Sequence, residues 1–290
     1  DLPDALAFAT AIAGDADAPA RMEAEKKRFA GSELAGKVLG VVGLGAIGVR
    51  VAKAAFALGM RVIGHDPHMT VEGAWQLSSS VQRAGSLEEL YAASDYVPVH
   101  VPLLDATRGM FGERAVMAAK PGLVLLNFAR EGVIDEQAVH AGLDSGKLGR
   151  YVSDFPVAAL AAHPRVIALP HLGASTAEAE ENCAVMVADQ LREFLENGNV
   201  QHSVNFPNTR MARSGHSRLC IANSNRPNMI GQLSHVLGEA GLNIAHMHNA
   251  SRGELAYNLI DVDAAVPGSL AAGITAIDGI LSLRVLGAPG

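Results

Sequence analysis

The sequence predicts an α/β protein with a doubly wound parallel sheet, followed by a second, smaller domain. Three observations lead to this class. Six short apolar runs alternate with amphipathic stretches, a segment without periodicity interrupts the chain, and the order of the elements changes after it. Apolar runs of this kind are typical of strands that helices bury on both faces.

Length and composition fit two globular domains and exclude several function classes. The 290 residues are 49% hydrophobic and 18% charged, which is not the composition of a disordered chain. The formal net charge is −7 without a Lys/Arg-dense run, so we expect neither nucleic acid nor a membrane as partner. Cys183 and Cys220 form no C-x-x-C pair. With no signal peptide or membrane-length apolar run recognised, we expect a cytoplasmic protein.

The first thirty residues predict a helix that Gly14 and Pro19 interrupt. We interpret residues 1–30 as an interdomain helix left from a preceding domain. The predicted strands of the following domain, 31–198, are KVLGVV, RVIGHD, YVPVHV, LVLLNF, GRYVSDF and RVIALP. The predicted helices between them span roughly 46–58, 87–93, 113–119 and 135–145.

A long helix, 175–197, is predicted to close this domain. Ser175 suits the N-cap, Glu178 stands at the capping-box position, and Gly198 suits the C-terminal end. Residues 199–216 then predict a linker. The last segment, 217–290, shows a β-α-β-β-α-β order, which is the ferredoxin-like arrangement.

A glycine motif lies between the first predicted strand of the first domain and the next helix. Gly43, Gly45 and Gly48 have the G-x-G-x-x-G spacing of a Rossmann-like dinucleotide site. The first glycine permits a tight turn, the second allows the backbone to approach a pyrophosphate, and the third allows helix and strand to pack closely. The helix N-terminus would face the diphosphate.

Asp66 ends the next predicted strand, 18 positions after Gly48, close to the ~20 expected for the acid that binds the ribose. A carboxylate there accepts hydrogen bonds from the ribose hydroxyls and repels a 2′-phosphate. The next two residues, Pro67 and His68, include no arginine. The sequence therefore favours NAD over NADP as cofactor.

Arg130 and His171 each follow a predicted strand, so both side chains should reach the crevice at the carboxyl edge of the sheet. Arginine binds a carboxylate with two hydrogen bonds, and histidine takes a proton near neutral pH. Together they suit the oxidation of a 2-hydroxy acid. On chemistry alone, a solvated loop arginine and a structural histidine remain equally good interpretations.

Several motifs, in their order, decide between these interpretations. GLGAIG, HDP, VPLLDATRGMF, NFAREGVIDE, SDFP and PHLGAST resemble the cofactor domain of the D-isomer-specific 2-hydroxyacid dehydrogenases over roughly residues 30–200. The stretch that begins with IANSNRPNMIGQL is similar to an ACT domain, a regulatory module that binds small molecules. Within the family, this combination implies 3-phospho-D-glycerate as substrate, L-serine or a similar amino acid as effector, and a homo-oligomer.

The resemblance also implies roles for individual residues. Arg130 would bind the substrate and His171 would donate or accept the proton. The effector would contact Asn223, Asn225 and Asn243, across an interface between two modules. Besides the three glycines, the NAD site would include Ala46, Ile47, Asp66, Val101, Phe128, Ala129, Arg130, Asp154, His171, Leu172, Gly173 and Ala174. No metal site is expected.

Three departures from the family pattern stand out. Ala159 occupies the position, five residues after Asp154, where the family has a glutamate that orients the histidine. The part of the family's substrate domain that would precede residue 1 is expected to be missing. Asn228 replaces a glycine in the ACT turn, and asparagine tolerates a positive φ better than most residues.

Two alternatives remain open. A reductase of glyoxylate or hydroxypyruvate would share the cofactor domain, although the ACT-like segment argues against it. A non-catalytic protein that binds NAD and an amino acid is the alternative from a different class, and Ala159 favours it.

Overall fold

A computed structural model describes residues 2–69, 71–155 and 157–288, without the side chain of Glu72. The first and last residues of the predicted domains, 1 and 290, and the proline of the SDFP motif lie outside these ranges. The chain forms two compact units, Asp1–Gly173 and Ala174–Gly290. Within the described ranges, no helix combines the length and the apolar character that crossing a bilayer requires.

The first unit alternates strands and helices. Its strands are β1 Val38–Val42, β2 Arg61–His65, β3 Gln82–Arg83, β4 Tyr96–Val99, β5 Leu123–Asn127, β6 Leu148–Ser153 and β7 Val166–Ala168. Its α-helices are α1 Leu2–Ile12, α2 Ala18–Glu25, α3 Gly48–Ala57, α4 Val71–Gln76, α5 Leu87–Ala93, α6 Glu113–Ala118, α7 Glu136–Asp144 and α8 Ala158–Ala161. Short 3₁₀ helices span Lys26–Phe29 and Glu131–Val133.

The seven strands form one parallel sheet in the order β3-β2-β1-β4-β5-β6-β7. Side chains of β1 alternate between two cores. Val38 and Val42 belong to the larger core, and Leu39 and Val41 to the smaller one, so both faces of the sheet are covered. The predicted doubly wound, Rossmann-like fold is therefore confirmed.

The second unit contains α9 Ala177–Arg192, a π-helical turn Glu193–Asn197, β8 Ser217–Ser224, α10 Met229–Glu239, β9 Ile244–Arg252, β10 Leu255–Val262, α11 Gly268–Thr275 and β11 Ile280–Leu286. Its four strands pair antiparallel in the order β11-β8-β10-β9. The β-α-β-β-α-β order predicted from the sequence is present.

The long helix begins one residue later than predicted. The hydroxyl of Thr176, not of Ser175, caps it by accepting a hydrogen bond from the Ala179 amide at 3.1 Å. Glu178 therefore does not stand at the capping-box position. Gly198 ends the helical segment with φ +73°, as predicted.

The structure divides the chain after Gly173, whereas the sequence placed the end of the first domain at residue 198. Two contacts show why the long helix groups with the second unit. Arg218 in β8 donates a hydrogen bond to the Asn197 carbonyl at 2.8 Å, and Asn199 donates to the Glu193 carboxylate at 2.9 Å.

Residues 199–216 pack against the second sheet instead of forming a free linker. Val200 and Thr209 are buried and form an isolated β-bridge. Arg218, buried beside Asp261, donates hydrogen bonds to the carbonyls of Met211 and Ala212 at 2.8 Å. A buried guanidinium needs several acceptors, and this segment supplies two of them.

Candidate active site

A glycine turn joins β1 to α3 where the strand order of the parallel sheet reverses. Gly43 has φ +87°, and a β-carbon there would lie 2.6 Å from the carbonyl oxygen of His100. A β-carbon on Gly48 would overlap the carbonyl oxygen of Gly43. Gly45, by contrast, is exposed and faces open space. The turn thus has the tight packing and the open side that a pyrophosphate site requires.

Asp66 lies directly beside this turn. One carboxylate oxygen accepts a hydrogen bond from the Leu44 amide and the other from the His68 amide, both at 2.8 Å. These bonds fix the carboxylate after β2, at the position predicted for the ribose-binding acid. Asp66 also lines a cavity of about 380 Å³ together with Arg83, a cation on strand β3 that the sequence did not predict.

Arg130 follows β5 and is held by its neighbours. The buried Asn127 side chain donates a hydrogen bond to the Arg130 carbonyl at 3.0 Å and accepts one from the Ala129 amide at 3.1 Å. The Arg130 guanidinium donates to the Ala129 carbonyl at 2.6 Å and remains exposed. Asn127 therefore shapes the loop that presents the arginine.

Five predicted residues line one cavity of about 440 Å³ around Arg130. They are Ile47, Val101, Phe128, Ala129 and Arg130, and His100, Pro102 and Leu103 complete the lining. The cavity therefore joins the glycine turn, the end of β4 and the end of β5. A guanidinium, which is able to bind a carboxylate, lies in it beside apolar groups.

His171 follows β7 and faces the carboxylate that follows β6. Its Nδ1 lies 3.8 Å from an Asp154 oxygen, and its ring meets the Phe155 ring edge-on at a centroid distance of 4.8 Å. Asp154 is buried, whereas the His171 side chain is half exposed. Strands β5, β6 and β7 are parallel neighbours, so Arg130, Asp154 and His171 occupy the same edge of the sheet.

Two buried polar atoms near this edge fit a bound dinucleotide. Asp154 Oδ1 and His100 Nε2 have no hydrogen-bond partner among the described residues. A buried polar atom without a partner is costly, and the amide and hydroxyl groups of NAD could satisfy both atoms. Together with the open side of Gly45, these atoms fit the cofactor that the sequence predicts.

His100 was missed by the sequence analysis. Burial lowers the pKa of its imidazole, so the ring is neutral at neutral pH. The available signal was its place directly after a buried strand, which is the same signal that selected Arg130 and His171. Inside a predicted strand run, YVPVHV, the histidine looked like part of the strand.

Other residues predicted to bind the cofactor lie exposed on the surface of their unit. Ala46 is exposed in the glycine turn, and Leu172 and Gly173 are exposed after His171. Ala174 has φ +60° and begins the second unit. Leu172 and Gly173 are not among the residues that line the cavity around Arg130. Their role in binding NAD stays a prediction.

The three asparagines predicted for an effector do not meet within one unit. Asn223 is buried and accepts a hydrogen bond from Asn258 at 2.6 Å, and Asn225 donates to the Gly253 carbonyl at 2.9 Å. Strand register places Asn243 near the opposite end of the sheet. A site formed by all three would need two copies of the unit.

No group of three or more His, Cys, Asp or Glu side chains in the described ranges is arranged to hold a metal ion.

Comparison with known proteins identifies the family of the first unit. Residues 6–173 match the model of the D-isomer specific 2-hydroxyacid dehydrogenase, NAD binding domain. The D-3-phosphoglycerate dehydrogenase of Haemophilus influenzae is 35% identical over 266 residues. That match covers 88% of this chain and 64% of the relative, so the chain spans less than two thirds of the relative's length.

Solved structures show the same likeness. A glyoxylate reductase from Paecilomyes thermophila has a TM-score of 0.54 at 33% identity, covering 60% of this chain and 54% of that one. The NAD⁺-bound 3-phosphoglycerate dehydrogenase of Entamoeba histolytica has a TM-score of 0.53 at 29% identity, covering 61% and 57%. The glycine turn, Asp66, Arg130 and His171 thus lie in an NAD-binding domain, and the chain belongs to the D-isomer-specific 2-hydroxyacid dehydrogenase family.

Proposed function

We propose that the protein is an NAD-dependent dehydrogenase that oxidises 3-phospho-D-glycerate to 3-phosphohydroxypyruvate, the first step of L-serine biosynthesis. The observation that carries this proposal is the placement of Arg130, Asp154 and His171 after three adjacent parallel strands, at the edge that also carries the glycine turn. The substrate is inferred from the Haemophilus influenzae relative, whose match extends over 88% of the chain and therefore into the second unit.

Each side chain has a distinct task in this reaction. Arg130 binds the substrate carboxylate and the developing carbonyl through its planar guanidinium. His171 takes the hydroxyl proton through the ring nitrogen that does not face Asp154. Bound NAD⁺ supplies the hydride acceptor. Asp66 holds the ribose, and the apolar wall formed by Ile47, Val101 and Phe128 excludes water from the reacting carbon.

One preparation of the 290-residue chain tests the proposal. NADH binding, NADH production from 3-phosphoglycerate, and reduction of phosphohydroxypyruvate and glyoxylate are measured side by side. We expect NADH binding and faster reduction of phosphohydroxypyruvate than of glyoxylate. Faster reduction of glyoxylate would favour the second candidate, a glyoxylate reductase, which the Paecilomyes thermophila structure supports over 60% of this chain. NADH binding without turnover would favour the non-catalytic alternative.

We further propose that the second unit is an ACT-type regulatory module that binds L-serine between two copies of the chain. Its βαββαβ topology supports this, and so does the separation of Asn243 from Asn223 and Asn225, which a pair of modules would bridge. Asn228 adopts φ +66° at the N-cap of α10, so it can replace the glycine of the ACT turn.

Calorimetry with L-serine tests the regulatory proposal. We expect heat of binding at millimolar serine in the wild-type chain and its loss in Asn243→Ala, because the hydrogen bonds that the structure describes for Asn243 are made by its backbone amide and carbonyl. His235→Ala, at an exposed position of α10, is the control and should retain binding. No heat with the wild-type chain, or a monomer by sedimentation, would contradict the proposal.

A further inference from the structure

We propose that Asp154 is the positioning residue of His171 in this protein. Asp154 would take over the task of the family's glutamate, whose position Ala159 occupies here. The inference rests on the proposed function, because it assigns His171 as the proton carrier. Asp154 thereby acquires a task beyond lining the cofactor site: it sets which nitrogen of the imidazole carries the proton and which way the ring points.

The contact between the two side chains supports this assignment. His171 presents Nδ1 to Asp154 at 3.8 Å, which leaves Nε2 for the substrate. The separation exceeds that of an N–H···O hydrogen bond, about 2.7–3.2 Å. Catalytic hydrogen bonds are often long before the substrate binds and tighten in the complex. The edge-on Phe155 ring limits the directions in which the imidazole can turn.

The stretch between Asp154 and His171 supplies no other acid for this role. Residues 156–170 contain neither aspartate nor glutamate, and helix α8, which includes Ala159, is made of alanine and leucine. In the part of the chain that the structure describes, Asp154 is the acidic residue whose carboxylate lies within 4.0 Å of a His171 nitrogen. Asp154 is also buried, with 7% of its surface exposed, directly after β6.

The burial of Asp154 indicates which nitrogen of the His171 ring carries the proton. Its Oδ2 faces His171, while Oδ1 is buried without a partner among the described residues. A buried carboxylate is stabilised by a donor, and the structure places Nδ1 of His171 at 3.8 Å from this carboxylate. The neutral ring should therefore be the Nδ1–H tautomer, with Nε2 free to accept the hydroxyl proton of the substrate.

Nitrogen-15 NMR of His171 in the full chain tests this pairing without turnover. We expect the wild-type ring to be mainly the Nδ1–H tautomer and the ring of Asp154→Asn to change toward Nε2–H. Asp144→Asn is the matched control, because Asp144 faces His140 and His163 instead, and it should leave His171 unchanged. A wild-type ring that is mainly Nε2–H, or one that Asp154→Asn leaves unchanged, would overturn the proposal.

Kinetics add a second test. Asp154→Asn should lower kcat for keto-acid reduction on the order of tenfold or more and change its pH profile, because a wrong tautomer removes the proton carrier. Adding Ala159→Glu to that variant should restore part of kcat and the wild-type pH profile. An unchanged kcat in Asp154→Asn would contradict the proposal. A chain with the expected tautomer but no turnover would refute the proposed function and leave the pairing intact.

Discussion

The carbonyl oxygen of Gly43 occupies the space that a β-carbon on Gly48 would need. The two glycines therefore pack directly against each other. Gly43 makes the turn after β1, and the absence of a side chain on Gly48 allows α3 to begin in contact with that turn. Gly45, between them, has no protein atom within 4 Å of its β-carbon position. The motif thus combines two glycines that close packing requires with one that we expect ligand binding to require.

This difference predicts opposite results for two matched variants. Gly48→Ala should lower the free energy of unfolding of the first unit by about 1–3 kcal/mol or more, because the methyl group must displace the backbone. Gly45→Ala should keep the wild-type melting temperature and lose NADH affinity at least about tenfold, because the methyl group fills the side open to the pyrophosphate. Thermal melting and NADH fluorescence titration measure both.

Gly31→Ala, which also has open space around its β-carbon position and lies outside the predicted cofactor site, is the control for the added methyl group. The interpretation of the motif is wrong if Gly45→Ala binds NADH as tightly as the wild type.

Asp66→Asn should weaken NAD binding by about tenfold and raise the affinity for NADP relative to NAD. The amide keeps an oxygen for the Leu44 or His68 amide but loses the charge that repels a 2′-phosphate. Arg83 lines the same cavity, so Asp66→Asn combined with Arg83→Ala should lose the gain in NADP affinity. Equal affinity of the wild-type chain for the two cofactors, measured by titration, would contradict the assignment of Asp66.

Arg130→Lys should lower turnover far more than NADH affinity. A lysine ammonium cannot make two parallel hydrogen bonds to a carboxylate, so a loss of about 100-fold in kcat/KM for the keto acid is expected. Steady-state kinetics and NADH titration of the same preparation separate the two effects. Arg108→Lys is a control for the substitution itself, at an exposed arginine. A wild-type rate in Arg130→Lys would remove this residue from the mechanism.

The second unit should lose stability in acid through Asp261. Burial raises the pKa of this carboxyl, but hydrogen bonds from Arg218 and Ser214 outweigh burial and lower it below its ordinary value. A lowered pKa stabilises the folded state above the unfolded-state pKa of about 3.9, and this contribution is lost as the pH falls through the lower folded-state value. Denaturant titrations from pH 6 to about pH 2 should show that loss.

Asp261→Asn should remove this acid dependence and cost about 3 kcal/mol at neutral pH, because it leaves the buried Arg218 without its counter-ion. Asp278→Asn, in an exposed pair with Arg226, should cost under about 1 kcal/mol. The account of the buried pair fails if both variants have the same stability.

The elements that the sequence predicted well are those with strong patterns. Six strands of the parallel sheet and the helix 87–93 appear where the apolar runs and spacing indicated them. Strand β3 was missed because it has two polar, exposed residues at the edge of the sheet. Neighbouring Ser175 and Thr176 are both good caps, and only the local backbone decides between them.

The placement of Asp66, Arg130 and His171 after strands of the parallel sheet was predictable from the apolar runs that precede them, and their roles stay predictions. The pairing of His171 with Asp154 was not predictable, because it depends on β6 and β7 being neighbours, and sequence separation hides that contact. His100 was not predicted because it lies in the run YVPVHV, which has the pattern of a buried strand. Its nitrogen without a partner among the described residues can be recognised only from the structure.

The rate of NADH oxidation with phosphohydroxypyruvate, compared between the wild-type chain and His171→Gln, tests the central claim most directly. Glutamine keeps a hydrogen-bonding side chain but cannot carry a proton, so we expect turnover to fall by at least about 100-fold and NADH affinity to fall much less. A His171→Gln chain that reduces the keto acid as fast as the wild type would contradict the claim that His171 carries the proton in this dehydrogenase.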